Sequence, residues 1–210
     1  MPRIDPICLE AVLLNVSKSI GEQIKYTRLN DGHSGQTNRK AFDLLAKARV
    51  IHKIPACDPQ GLPLGATANS KKFKASVLDI GLLQRLCQLP VDLELQNENL
   101  LSIYRGKLAE QFFAQELLAW HSSQLFYWAR SARSSNAEVD YLVVSEGKIY
   151  PIEVKSGTGG SLRSLHLMLE KYPNCPNGFV LYSGTYSSLP EQKLVFLPLY
   201  NVAGMSPIIK

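Results

Sequence analysis

Cysteine is scarce in this chain of 210 residues, and its four thiols lie far apart, at Cys8, Cys57, Cys87 and Cys175. No C-x-x-C pair occurs, which argues against a disulfide framework or a zinc knuckle and favours the reducing cytoplasm. No apolar run reaches the roughly 20 residues that a membrane-spanning helix needs, so we expect no membrane partner. The pattern G-x-x-x-x-G-K-[ST] is missing too, so we expect no ATP to bind this chain through a P-loop.

The residues that are present have the composition of a folded protein with a mild basic bias. Apolar residues make up 45% of the chain and charged residues 20%, with a formal net charge of +5. These values argue against a disordered chain, and the length allows one ordinary domain or two small ones. The positive charge permits nucleic-acid binding, but charge alone is equally consistent with a basic protein that has no such partner.

Residues 1–95 have the element order of a winged helix. Helical patterns at Cys8–Ser17, Ser19–Tyr26 and Gln36–Arg49 are followed by strand patterns at Val50–Ala56 and Phe73–Leu78. Three helices followed by a hairpin are typical of this fold, whose third helix would read DNA. The basic side chains of that helix and of the hairpin are candidate nucleic-acid-binding residues: Arg39, Lys40, Lys71, Lys72 and Lys74. The alternative is a protein-docking winged helix with a solvated lysine loop.

Residues 96–210, after a linker at 89–99, predict an α/β domain in the order α-β-β-β-α-β. A helix at Leu100–Trp120 comes first, and a second helix at Ser161–Tyr172 follows three strands. The strand patterns are Leu125–Trp128, Glu138–Val144, Lys148–Lys155, Gly178–Ser183 and a further candidate at Leu194–Tyr200. This order favours a mixed sheet with helices on its faces.

The candidate chemistry lies on the predicted hairpin at 138–155. Glu146 and Gly147 predict a two-residue turn, which pairs residues whose numbers sum to 293. One face of the hairpin is then apolar and consists of Val139, Tyr141, Val143, Tyr150, Ile152 and Val154. On the other face Asp140 lies opposite Glu153, and Lys155 follows two residues later, opposite Glu138.

Two carboxylates opposed across a strand pair repel each other and call for a cation or a raised pKa. Oxygen ligands of this kind suit Mg²⁺. On the first helix of this segment Glu110 falls within an apolar stripe, where a carboxylate is costly unless it is paired or bound to metal. The alternative is a salt-bridge cluster in which Lys155 only neutralises its acidic neighbours.

These residues resemble the pattern of the PD-(D/E)xK, or restriction-endonuclease-like, nuclease superfamily, which has a helix acid, an Asp on one strand and Glu-x-Lys on the next. The segments at 74–83, 106–113, 137–141 and 151–157 also resemble the C-terminal half of a prokaryotic family of AAA+ superfamily ATPases of unassigned function. In that family a winged helix is joined to a nuclease-like domain. Its members usually begin with a P-loop ATPase domain, which this sequence lacks, so the resemblance implies an ATPase domain or subunit as a partner.

The resemblance implies metal-dependent hydrolysis of a DNA phosphodiester. Asp140, Glu153 and the Val154 carbonyl would hold Mg²⁺ or Mn²⁺, Glu110 would complete the ligand shell, and Lys155 would position the attacking water. The rival functions are a non-catalytic nucleic-acid-binding or regulatory module of an ATPase, and a protein-interaction module without nucleic acid.

Overall fold

The computed structural model describes residues 4–89, 102–121, 124–131, 136–157, 159–202 and 205. The chain is a mixed α/β protein in which five helices and eight strands are seen within these residues. The helices are α1 (Pro6–Lys18), α2 (Gly35–Lys47), α3 (Ile80–Leu86), α4 (Ser102–His121) and α5 (Arg163–Lys171). The strands are β1 (Ile51–Ala56), β2 (Asn69–Val77), β3 (Phe126–Ser131), β4 (Asn136–Ser145), β5 (Lys148–Val154), β6 (Gly178–Tyr182), β7 (Ser187–Leu189) and β8 (Leu194–Pro198).

All eight strands belong to one sheet in the order β2-β1-β3-β4-β5-β6-β8-β7. The N-terminal hairpin β1-β2 joins this sheet through a parallel contact in which Ala56 lies opposite Tyr127. The predicted winged-helix segment and the predicted nuclease-like segment therefore share one sheet. From α4 to β6 the elements follow the predicted order α-β-β-β-α-β.

The predicted register of the central hairpin is confirmed along the strand pairs that the structure shows. Tyr141 lies opposite Ile152, Val143 opposite Tyr150, and each pair sums to 293. Glu146 and Gly147 form the turn with φ values of 49° and 73°, the left-handed conformation that a two-residue hairpin turn requires.

A β-bulge in β4 corrects the prediction of one continuous apolar face. On β3 one residue separates Phe126 from Trp128, whereas two residues separate their partners Leu142 and Val139 on β4. Val139 therefore packs in the core layer beneath α5, together with Trp128. Tyr141 packs on the opposite side of the sheet, in the layer beneath α4. Because a bulge inserts one extra residue, it re-aims the side chains at that point, here Asp140 and Tyr141.

The N-terminal segment differs from the winged-helix prediction at two positions. The predicted helix at Ser19–Tyr26 is instead a turn at Gly21, which has a φ of +79°, followed by a bridge from Ile24 to Phe73. Two α-helices and one short 3-10 helix at Tyr26–Arg28, rather than three full helices, thus precede the hairpin in the described part of the chain. The hairpin is followed by α3, capped by Asp79, which the sequence patterns did not predict. Most of the predicted linker at 89–99 lies outside the described residues.

A third core layer holds this segment together. Side chains of α1 and α2 pack with Ile51 of β1 and with Phe73, Ala75 and Val77 of β2. Among the described helices, none is both long and apolar enough to cross a membrane.

Candidate functional site

Asp140 lies at the bulge and connects β4 to β5 through its side chain. Its Oδ2 accepts a hydrogen bond of 2.9 Å from the Val154 backbone N–H. The last β4–β5 pair in this direction is Tyr141 with Ile152. Beyond it, the Asp140 carboxylate accepts the β5 hydrogen bond that a β4 backbone carbonyl would accept in a regular strand pair. Asp140 is thereby fixed beside the Glu153–Lys155 segment.

Lys74 from β2 lies among three carboxylates on the α4 side of Asp140. Its Nζ is 2.5 Å from Glu138 Oε1, 3.4 Å from Glu110 Oε2 and 3.5 Å from Asp140 Oδ1. The side chain is only 3% exposed, and its ammonium lies 5.3 Å from the centre of the Tyr127 ring. Burial by itself lowers the pKa of Lys74, but the three surrounding carboxylates outweigh it and raise the pKa well above 10.5.

The position of Lys74 corrects its predicted role as a surface contact for nucleic acid. An ammonium that is buried and paired with acidic side chains is not available to a phosphate outside the protein. The structure does not test the other four predicted contacts. Arg39 and Lys40 are exposed on α2, where Arg39 pairs with Asp43 at 3.6 Å, and Lys71 is exposed on β2. Lys72 is partly buried on the same strand.

Glu153 and Lys155 form a second pair on the other side of Asp140. Lys155 Nζ lies 2.6 Å from Glu153 Oε1. Glu153 Oε2 is buried, and none of the described residues gives it a hydrogen bond. Gly160 leaves room for the Lys155 side chain, because a Cβ at position 160 would lie only 3.1 Å from the Cδ and Cε atoms of Lys155.

Two of the carboxyl groups have raised pKa values for the same main reason. Burial raises the pKa of Glu110 to about 7, and the Asp140 charge adds to the shift while Lys74 opposes it. Burial also raises the pKa of Glu153 to about 8; Asp140 again adds to the shift, and Lys155 opposes it. The charge of Asp140 therefore raises the pKa of one carboxyl group on each side of it, Glu110 beside Lys74 and Glu153 beside Lys155.

The sequence interpretation did not assign Glu138 a role in the site. It expected Glu138 to lie opposite Lys155, whereas the structure pairs it with Lys74. The bulge is the cause, since it ends the simple register before Glu138 and Lys155 would meet. No signal in the local sequence pattern marks this change.

The donor atoms of the site bear on whether it fits a divalent cation. No group of three or more His, Cys, Asp or Glu side chains within the described residues is arranged to hold a metal ion. Mg²⁺, however, is commonly bound by one or two carboxylates with water and substrate phosphate supplying the rest. Asp140 and the Glu153 oxygen to which no described residue bonds supply two carboxylates of that kind, and hard oxygen donors also suit Mn²⁺.

The raised pKa of Glu153 predicts that the metal-free protein loses stability as pH rises. The folded state holds this proton up to about pH 8 and the unfolded chain only up to about 4.5, so the stabilising contribution is complete below the lower value and is lost toward the higher one. Glu153→Gln removes the titration. In chelator its melting temperature should equal that of the wild type near pH 5 and exceed it near pH 8.5.

Thermal melts across this range test the prediction. The matched control is Glu170→Gln, which alters an exposed carboxylate on α5 and should keep the wild-type profile. Parallel profiles for wild type and Glu153→Gln would contradict the assignment of a buried, proton-holding carboxyl.

Family comparisons divide the chain into two parts. Residues 105–202 match the family model described as Domain of unknown function (DUF4143), and residues 1–95 match that described as Domain of unknown function (DUF8612). No curated protein and no solved structure gives a significant match. DUF4143 is found in the C-terminal region of AAA-ATPase-like proteins, so the part of the chain that carries Glu110, Asp140, Glu153 and Lys155 is similar to a domain that accompanies ATPases.

Proposed function

We propose that this chain is a metal-dependent nuclease that hydrolyses DNA phosphodiesters, with a winged-helix-like N-terminal segment and a restriction-endonuclease-like second segment. The observation that carries the proposal is the buried Glu153 oxygen without a described hydrogen-bond partner, held beside Lys155 and next to Asp140. Leaving a buried carboxylate oxygen unsatisfied is costly in a folded protein unless it has a ligand to bind.

The charge of the cluster also supports a cation. The site contains four carboxylates and two ammonium groups, and the described residues add no further ion pair to it. The fully ionised cluster therefore has a formal net charge of −2. A divalent cation would balance that excess. In its absence, the raised pKa values of Glu110 and Glu153 mean that bound protons partly balance the excess.

Within this function Asp140, Glu153 and the Val154 carbonyl would hold Mg²⁺ or Mn²⁺. Such an ion, when bound, supplies charge stabilisation at the phosphate and lowers the pKa of water. Lys155 would orient the attacking water, since its ammonium has three donors and one is directed at Glu153. Glu110 would complete the ligand shell from the side of Lys74. Its backbone carbonyl accepts a hydrogen bond of 3.0 Å from the Tyr141 hydroxyl, which anchors α4 to β4.

One observation favours the second candidate, a non-catalytic nucleic-acid-binding or regulatory module of an ATPase. Lys74 already contacts three of the four carboxylates, so the cluster has its own internal cation. In that case the same residues form a structural network that joins the N-terminal hairpin to the sheet. The two functions differ in what a metal ion does to the protein.

Cleavage of DNA should depend on the two proposed ligands and on Lys155 in different ways. Asp140→Asn and Glu153→Gln should each abolish most of the rate, because neutral amides are poor ligands for a hard cation. Lys155→Ala should leave metal binding largely intact and slow the chemical step by roughly 10²–10⁴-fold. The measurement is the single-turnover cleavage rate with Mg²⁺ or Mn²⁺, and Glu170→Gln serves as the control. Absence of cleavage by the wild type on linear, nicked and branched DNA would favour the binding module.

Removing the internal cation should make the fold depend on metal. Lys74→Met leaves three carboxylates without their ammonium partner; Glu110 and Asp140 are largely buried, whereas Glu138 is 40% exposed. Removing one member of a buried pair costs about 3–5 kcal/mol. If Asp140 belongs to a cation site, Ca²⁺ or Mg²⁺ should restore much of the lost melting temperature. The control is Lys53→Met on the neighbouring strand, where the ammonium contacts Tyr26 and the Ser70 carbonyl instead. A loss in Lys74→Met that no divalent cation restores would support the structural network.

A further inference from the structure

A polar cavity lies where the N-terminal hairpin meets the central sheet. β1 ends at its one pair with β3, Ala56 opposite Tyr127, and a cavity of about 210 Å³ opens beside this point. Both segments of the chain and the end of α5 contribute to its walls. The residues that the argument uses are Asp58, Lys72, Ala129, Arg130, Lys171 and Tyr172.

Cations outnumber anions among the described residues that line this cavity. Lys72, Arg130 and Lys171 line it together with one carboxylate, Asp58. Asp58 already accepts hydrogen bonds from the Tyr172 hydroxyl at 2.6 Å and from Gln60 at 2.9 Å. Arg130 and Lys171 alone exceed the single charge of Asp58, so the described lining favours an anionic ligand.

One of these cations is held in place by neighbouring side chains. Lys171 Nζ donates to the Tyr172 hydroxyl at 2.8 Å, and Trp128 Nε1 donates to the same oxygen at 3.2 Å. Since an ammonium has three donors, Lys171 keeps two for a ligand. Arg130 is exposed at the end of β3 and carries a planar guanidinium whose geometry suits bidentate contact with phosphate.

The size of the cavity limits the ligand. Pockets for cofactors and drug-sized molecules usually measure about 300–1,000 Å³, so 210 Å³ is small for a nucleotide cofactor. At about 30 Å³ per water, the space corresponds to roughly seven water molecules. A phosphate group with its nearest waters fits this volume.

The cavity also adjoins the candidate active site. Ala129 lines it and pairs across the strands with Glu138, whose carboxylate contacts Lys74. A net negative cluster repels a phosphodiester, so a polynucleotide that approaches it needs cationic contacts close by. We infer that Arg130 and Lys171 bind a backbone phosphate of the nucleic acid near the one to be cleaved. The choice of ligand rests on the proposed function.

The test is equilibrium binding of a labelled DNA duplex to the full chain in chelator, which prevents cleavage, at several salt concentrations. The double variant Arg130→Gln/Lys171→Gln removes two cationic contacts. The slope of log affinity against log salt should become shallower by about 0.9, because the two cations hold one phosphate and each phosphate contact in duplex DNA contributes about 0.9. The charge-conserving Arg130→Lys/Lys171→Arg should keep most of the wild-type slope, and melting curves verify that each variant folds.

The matched control is Arg85→Gln/Lys148→Gln, which removes one exposed arginine from α3 and one exposed lysine from the start of β5. A smaller change of slope in this pair than in the cavity pair supports the inference. An unchanged slope in the cavity pair overturns it, as does a titration in which inorganic phosphate binds the cavity while DNA affinity is insensitive to the variant. A failure of the proposed nuclease activity can be told apart from a failure of this inference. A protein that does not cleave DNA but binds it through the cavity cations leaves the inference intact.

Discussion

The buried ammonium of Lys74 is the constraint on which the rest of the site depends. A charge that is 3% exposed is tolerable in a protein interior only when opposite charges and hydrogen bonds surround it. Its partners come from α4 and β4, whereas Lys74 itself comes from β2. Separating the N-terminal hairpin from the sheet would leave buried charges of both signs unpaired, so the two segments are joined electrostatically as well as by the β1-β3 contact.

The second constraint is the bulge in β4, which shows how far the sequence pattern could predict the site. The turn at Glu146 and Gly147 and the alternation of apolar side chains are local signals, and they predicted the register correctly. The bulge depends instead on how β3 pairs with β4, which no local pattern records. It moves Val139 to the α5 side and directs Asp140 toward Val154 and Lys74, so the composition of the site was easier to predict than its geometry.

Lys74 illustrates the same limit for surface residues. In sequence it resembles Lys71 and Lys72, and a hairpin next to a loop predicts three solvated lysines. Alternation along β2 places Phe73, Ala75 and Val77 in the N-terminal core, which leaves Lys74 on the opposite face of the strand. That face is covered by Glu110 and Glu138, which lie 36 and 64 residues further along the chain. The burial of Lys74 thus depends on contacts that become visible only when the sheet is assembled.

The two candidate functions assign opposite meanings to one arrangement of charges. In a structural network the best partner for each carboxylate is a lysine, and a buried Glu153 oxygen without a hydrogen bond from the described residues would only lower stability. In a metal site Lys74 and Lys155 flank a residual negative charge, and that oxygen is free of partners among the described residues so that a cation can bind it. Lys74 then acts as an internal counter-ion that holds Asp140 in place while the metal is absent. The same negative excess would repel a phosphodiester, which explains why cations at Arg130 and Lys171 next to the cluster are consistent with a nucleic-acid substrate and add nothing to a purely structural network.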